Sequence, residues 1–144
     1  MKHRNLLIAI LAVFTGGFFY LFGRPLEPGI MRVTSYLGLY KPYQEIREWL
    51  LPYGVFLPEW VLYSLPNGLW AFAYALIITS IWKNNTSTIK TLWMASIPIL
   101  VFGFEFLQWA GIIAGTFCFE DLTFGLAGIL LGTYFGSKNQ EVKT

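Results

Sequence analysis

Charge is what this chain has least of. Only 12% of its 144 residues are Asp, Glu, Lys or Arg, while 56% are apolar. Globular domains carry roughly 25% charged and roughly 45–50% apolar residues, even with Gly counted among the latter. A soluble domain this small has a high surface-to-volume ratio and could not cover so much apolar side chain with so few charges. A water-soluble fold is therefore excluded, and lipid is left as the solvent. Cysteine is nearly absent too: Cys118 stands alone, which excludes an internal disulfide framework and a zinc site built from cysteines. The one histidine, His3, lies between Lys2 and Arg4 in a basic anchor and has no second histidine to work with. A nucleophilic Cys118 would need an activating neighbour, and the sequence offers none. Ten Lys and Arg against eight Asp and Glu give a net charge of +2, with no basic stripe of the kind that follows a phosphate backbone, so nucleic acid is not an expected partner. No cofactor and no metal are expected.

What the chain does have is long uncharged runs. Between Arg4 and Arg24, residues Asn5 to Gly23 would cover roughly 28 Å as a helix, enough for one membrane span. The stretch is long for the apolar part of a signal peptide, and no small-residue cleavage site follows it. A second span is expected over 66–82, opening at Pro66, since proline is tolerated in a first helical turn, and closing at Trp82-Lys83. A third runs over 91–116, carrying Pro98, which predicts a kink, and one charge, Glu105. A fourth, 122–137, is short enough to need a thinned bilayer or a snorkelling Lys138. The fold class expected is thus all-α: a polytopic four-helix transmembrane bundle forming one domain over 1–144.

Lys and Arg set the orientation. With both termini cytoplasmic, Lys2, Arg4, Lys83, Lys90, Lys138 and Lys143 lie inside, against Arg24, Arg32, Lys41 and Arg47 outside. This predicts a multi-pass protein of the cell inner (cytoplasmic) membrane. The outer loop, 24–65, has a pattern of its own: over 42–51, Tyr43, Ile46, Trp49 and Leu50 recur at helical spacing, with Gln44, Glu45, Arg47 and Glu48 mostly opposite. Such a helix lies in the membrane interface or packs on the ends of the spans, and in either case makes the loop a lid.

Glu105 and Gln108 stand three apart and project from one helical face. A charge at the bilayer centre costs roughly 2.5–3.5 kcal/mol on insertion scales, so the glutamate is expected to face protein or water. Counted from Thr91, it lies about 21 Å along the helix, in the outer half of the membrane. Asp121, at the entrance of the fourth span, fits an N-cap. Gly125, Gly128 and Gly132 follow it on one helical face with small-xxx-small spacing. If that face packs against the Glu105/Gln108 face of the third span, the two acids and Gln108 surround one outward-opening polar pocket. Structural alternatives stand beside this: Asp121 as a cap alone, the glycines as packing devices alone, and Glu105 as a hydrogen-bonded buried acid. Glu59 and Glu120 are expected to be solvated.

The segment from Glu105, EFLQWAGIIAGTFCFEDLTFGLAGILLG, resembles the signature of the VanZ-like family of small bacterial membrane proteins: Glu and Gln three apart, a short outer loop, then Asp opening a glycine-spaced helix. The resemblance is concentrated in residues 105–132. It departs from the family pattern at Gly115-Thr116-Phe117, where an arginine is usual, and near Leu126, where an asparagine is typical. It implies that Glu105, Gln108, Asp121, Gly125, Gly128 and Gly132 are the characteristic positions and that the protein works at the bacterial cell envelope; it implies no reaction.

Two functions of different class stand foremost, with proton-coupled transport a third for which four helices in one copy leave little room unless the protein oligomerises. One is an envelope-associated binding or accessory protein whose partners are membrane lipids, an envelope lipid or another membrane protein, with homo-oligomerisation left open. The other is a membrane-embedded enzyme acting on a lipid or lipid-linked glycan, with Glu105 and Asp121 as an acid/base pair of separated pKa values.

Overall fold

The computed structural model describes residues 3–23, 28–54, 56–113 and 116–138. Seven α-helices and no strand occur among them: α1 (His3–Gly23), α2 (Pro28–Tyr36), α3 (Tyr40–Gly54), α4 (Glu59–Tyr63), α5 (Leu65–Trp82), α6 (Thr88–Trp109) and α7 (Phe119–Lys138). Three stretches are long and apolar enough to cross a membrane, His3–Leu21, Leu65–Trp82 and Thr88–Trp109. Their outward faces are what lipid requires: Phe14 is 72% exposed, Ile99 65% and Phe106 66%. Such a continuous apolar exterior is a liability in water and the normal surface in hydrocarbon. The expected fourth span falls within α7, which is not one of the three by that measure.

Helix α5 is the central post. Its core positions are small, with Gly68, Ala71, Ala73 and Ala75 all buried, so neighbouring backbones can come close on more than one side. On one side α1 runs antiparallel to it. Ala9 and Ala12 pack on Ala73 and Leu76, Asn5 Nδ2 donates to Ser80 Oγ at 2.8 Å, and Trp70 Nε1 donates to the Val13 carbonyl at 3.3 Å.

On another side α7 runs parallel to α5, and here the glycine stripe corrects the sequence expectation. A Cβ on Gly128 would collide with the Gly68 carbonyl oxygen, and one on Gly132 would lie 2.5 Å from the Phe72 carbonyl oxygen and 2.8 Å from Ala75 Cβ. The stripe thus packs on α5, not on the third span. Only Gly125 turns toward α6, where a Cβ would come within 2.8 Å of Val101 Cγ1. The reason lies in α5, whose Gly68, Ala71 and Ala75 offer the complementary small row.

Helix α6 leans on this core through Ile97, packed with Ala75 and Ile78, and through a 2.7 Å hydrogen bond shared by Tyr74 Oη and Ser96 Oγ. Ser87 caps its start, accepting from Lys90 N–H at 3.4 Å, and Pro98 lies inside the continuous helix. It ends at Trp109, short of Thr116, because Gly111 takes a left-handed conformation with φ +68° and turns the chain.

The segment between α1 and α5 is largely helical. Tyr43 of α3 is buried and donates its hydroxyl to the Leu21 carbonyl at 2.8 Å, tying α3 to the end of α1. Burial pushes the Tyr43 hydroxyl above its ordinary value, with Arg47 pulling the other way. Trp49 and Tyr53, on other faces of α3, are exposed. Helix α4 closes on the start of α7 through stacking of Trp60 on Phe124, with centroids 5.5 Å apart.

Candidate functional site

The ends of α1 and α6 and the starts of α5 and α7 meet at one end of the bundle, together with α4. They enclose a cavity of about 920 Å³. Glu105, Gln108 and Asp121 all line it, and Gly125 forms part of its floor. Glu105 comes from the last turn and a half of α6 and is 7% exposed. Its Oε2 accepts from the Cys118 backbone N–H at 3.3 Å, which ties the approach to α7 against α6. Asp121 is in the first turn of α7, two residues past its start at Phe119, and so is not the N-cap expected of it. It still benefits from the positive end of the helix dipole. Its Oδ1 is buried without a hydrogen-bond partner.

Several lining residues carried no sequence signal. Glu59 and Glu120 are exposed, as expected, and both border the cavity, so four of the chain's acids surround it. Ser64, at the junction of α4 and α5, is 1% exposed and its Oγ has no partner. Aromatic side chains complete the wall: Tyr20 and Trp70 meet with ring centroids 5.4 Å apart, and Tyr63, Tyr74 and Phe104 add to them. Aromatic positions spread over separate helices have no common period, so only the packing reveals them as one surface. Of the expected lid, α4 alone contributes to the lining; no described residue of α2 or α3 does.

The electrostatics are one-sided. None of the described lining residues is Lys, Arg or His. Every acidic residue among the described ones lies toward this end of the molecule: Glu45 and Glu48 on α3, Glu59 on α4, Glu105 near the end of α6, and Glu120 and Asp121 at the start of α7. At the opposite end stand His3, Arg4, Lys83, Lys90 and Lys138. There the Lys83 ammonium donates to the Ser137 carbonyl, and Lys90 Nζ donates to the Lys83 carbonyl at 3.4 Å. Both ammonium groups thus sit at helix C-termini, where the dipole favours cations.

No group of three or more His, Cys, Asp and Glu side chains that could hold a metal ion occurs among the described residues. Comparison with protein-family models, with curated proteins and with solved structures finds no match to this chain. Any function must therefore be argued from the site itself.

Proposed function

We propose that the chain is a four-span integral membrane protein of the bacterial inner membrane, with both termini cytoplasmic, which binds a small molecule or lipid group in an outward-opening cavity and acts as an accessory or binding protein of the cell envelope. The single observation that carries this is the cavity, with a buried glutamate in its wall and an apolar helix exterior around it. A membrane-embedded acid is expensive, and an open cavity with convergent polar groups is the commonest reason to keep one.

The fourth span is supported by the packing of α7. Its 20 residues are about 30 Å long, the thickness of a bilayer core. It follows α5 in parallel from Gly68 beside Gly128 to Thr79 beside Gly136, so a membrane crossed by α5 is crossed by α7 as well. Four spans put both termini on one side, and the lysine-rich end is then cytoplasmic by the positive-inside rule. The VanZ-like resemblance of residues 105–132 agrees with this placement and belongs to the same proposal.

Binding is favoured over catalysis by what surrounds the acids. Ser64, Thr116 and Cys118, the aliphatic hydroxyls and the thiol at the cavity, have no histidine or lysine beside them among the described lining residues to act as a base. The test is native mass spectrometry of the full chain extracted in mild detergent. A lipid or small-molecule adduct retained by wild type and lost from Glu105→Gln and Asp121→Asn, with both variants folded, is the expected result. An adduct equally retained by all three, or by none, overturns the cavity as the binding site.

A further inference from the structure

We propose that the cavity binds an organic cation, an amine or quaternary ammonium group carried on an apolar body; this deepens the binding function above and rests on it. Charge is the first reason. Glu59, Glu105, Glu120 and Asp121 border the space, and no described lining residue carries a positive charge; Arg24 lies outside the described residues. Arg32, Lys41 and Arg47 belong to α2 and α3, of which no described residue lines the cavity. Toward the described lining an anion meets net repulsion and a cation net attraction, carried mainly by the buried Glu105 and the half-buried Asp121, since Glu59 and Glu120 are exposed to water.

The second reason is a pair of buried side-chain oxygens without partners. Ser64 is 1% exposed, and its backbone is already engaged, its N–H donating to the Trp60 carbonyl and its carbonyl accepting from Gly68 N–H. Its hydroxyl oxygen is buried without a hydrogen-bond partner, and the residue borders the cavity. Asp121 Oδ1 is in the same condition. Buried polar atoms of this kind are rare in folded proteins and call for an explanation; a cation in the adjacent space gives both oxygens a favourable electrostatic partner without a hydrogen bond.

The third reason is size and surface. About 920 Å³ lies in the range of small-molecule sites, roughly 300–1,000 Å³. A bare metal ion needs converging oxygens at coordination distance, and these acids are spread over three helices around a wide space. The wall between them is aromatic: Tyr20 and Trp70 form a corner, with Tyr63, Tyr74 and Phe104 beside it. Aromatic faces attract ammonium groups and cover their apolar substituents, while the carboxylates set the sign.

The test uses the purified full chain in dodecyl maltoside, a detergent with no charge, titrated calorimetrically with benzyltrimethylammonium. Its carbon isostere neopentylbenzene and the anion phenylmethanesulfonate are the controls. The cation is expected to bind saturably and at least about tenfold more tightly than the isostere, with no binding of the anion; Glu105→Gln and Asp121→Asn are each expected to weaken it about tenfold, as the loss of a near charge in a partly screened site implies. Tyr63→Leu, on the outer part of the wall, is expected to weaken it severalfold without unfolding the core. Gly103→Ala, where an added Cβ meets nothing within 4 Å, is expected to bind as wild type does.

Lipid and free sources of the ammonium group are separated by adding phosphatidylethanolamine or phosphatidylglycerol to the micelles. Competition by phosphatidylethanolamine alone assigns the site to a lipid head group, and competition by neither assigns it to a free amine. Equal binding of cation and isostere, preference for the anion, or no binding of any probe by folded protein overturns the cation assignment. If the co-purified adduct is still retained in those cases, the binding function stands without it; if the adduct is absent as well, both fall.

Discussion

Replacing Gly132 with alanine adds one methyl group at a place where the backbones of α5 and α7 come close. The new Cβ would lie 2.5 Å from the Phe72 carbonyl oxygen, 2.8 Å from Ala75 Cβ and 2.9 Å from Leu76 N. Two of these three are backbone atoms of a helix and cannot rotate away, so the helices have to separate by about 1 Å to reach van der Waals distance. A gap of 0.5–1 Å forfeits about a quarter to a half of each atom–atom attraction along the seam, and overpacking of this kind costs about 1–3 kcal/mol. In lipid there is no hydrophobic force between helices to resist the separation, because packing itself holds them together. The control is Gly103→Ala in α6, which touches nothing and by helix propensity should be neutral or stabilising by about 0.5–1 kcal/mol. Unfolding in mixed micelles of dodecyl maltoside and dodecyl sulfate, followed by tryptophan fluorescence, measures both. Equal stability of the two variants would refute the claim that α7 rests on α5 through its glycines.

Three further outcomes follow from the same contacts. Tyr43→Phe removes the hydroxyl bonded to the Leu21 carbonyl and should loosen α3 by about 0.5–1.5 kcal/mol, visible as faster amide exchange in residues 40–54. In wild type, burial raises the Tyr43 pKa above its usual 10.0, so the folded state holds its proton longer than the unfolded one. Stability from this group is complete below pH 10 and is lost as pH rises through the raised value; Tyr43→Phe should lack that alkaline step. Asn5→Leu removes the 2.8 Å bond to Ser80 Oγ from a position only 3% exposed and should cost about 0.6–2 kcal/mol in the same unfolding assay. Gly111→Ala places a side chain at φ +68° and should cost about 1–2 kcal/mol, with the loss read as fraying at the end of α6.

Uncharged runs made the helices legible, because lipid imposes a length and a composition that survive in the bare sequence. Glu105, Gln108 and Asp121 could be singled out since polar groups within such runs are few, and they do line one cavity. The partner of the glycine stripe was not legible: small-xxx-small spacing says that a helix approaches closely, without saying which. Chain adjacency pointed to α6, and the answer was α5, whose own small row matches it. Helix α4 was hidden inside an uncharged run that blends into α5, and Ser64 with it. The acids Glu59 and Glu120 are exposed charges, as the sequence indicates, and only the meeting of four helix ends at one place gives them a common space to border.

Cys118 lines the cavity and is the chain's one cysteine, so it reports directly on whether that cavity opens outward and is electronegative. Its reaction with a membrane-impermeant cationic methanethiosulfonate, added to intact spheroplasts, is the measurement to make. Modification from outside is expected, faster than by the anionic analogue of the same size, slowed by benzyltrimethylammonium and absent in Cys118→Ser. Modification only after permeabilisation, or an equal rate for the two charges, would contradict the outward, cation-selective cavity.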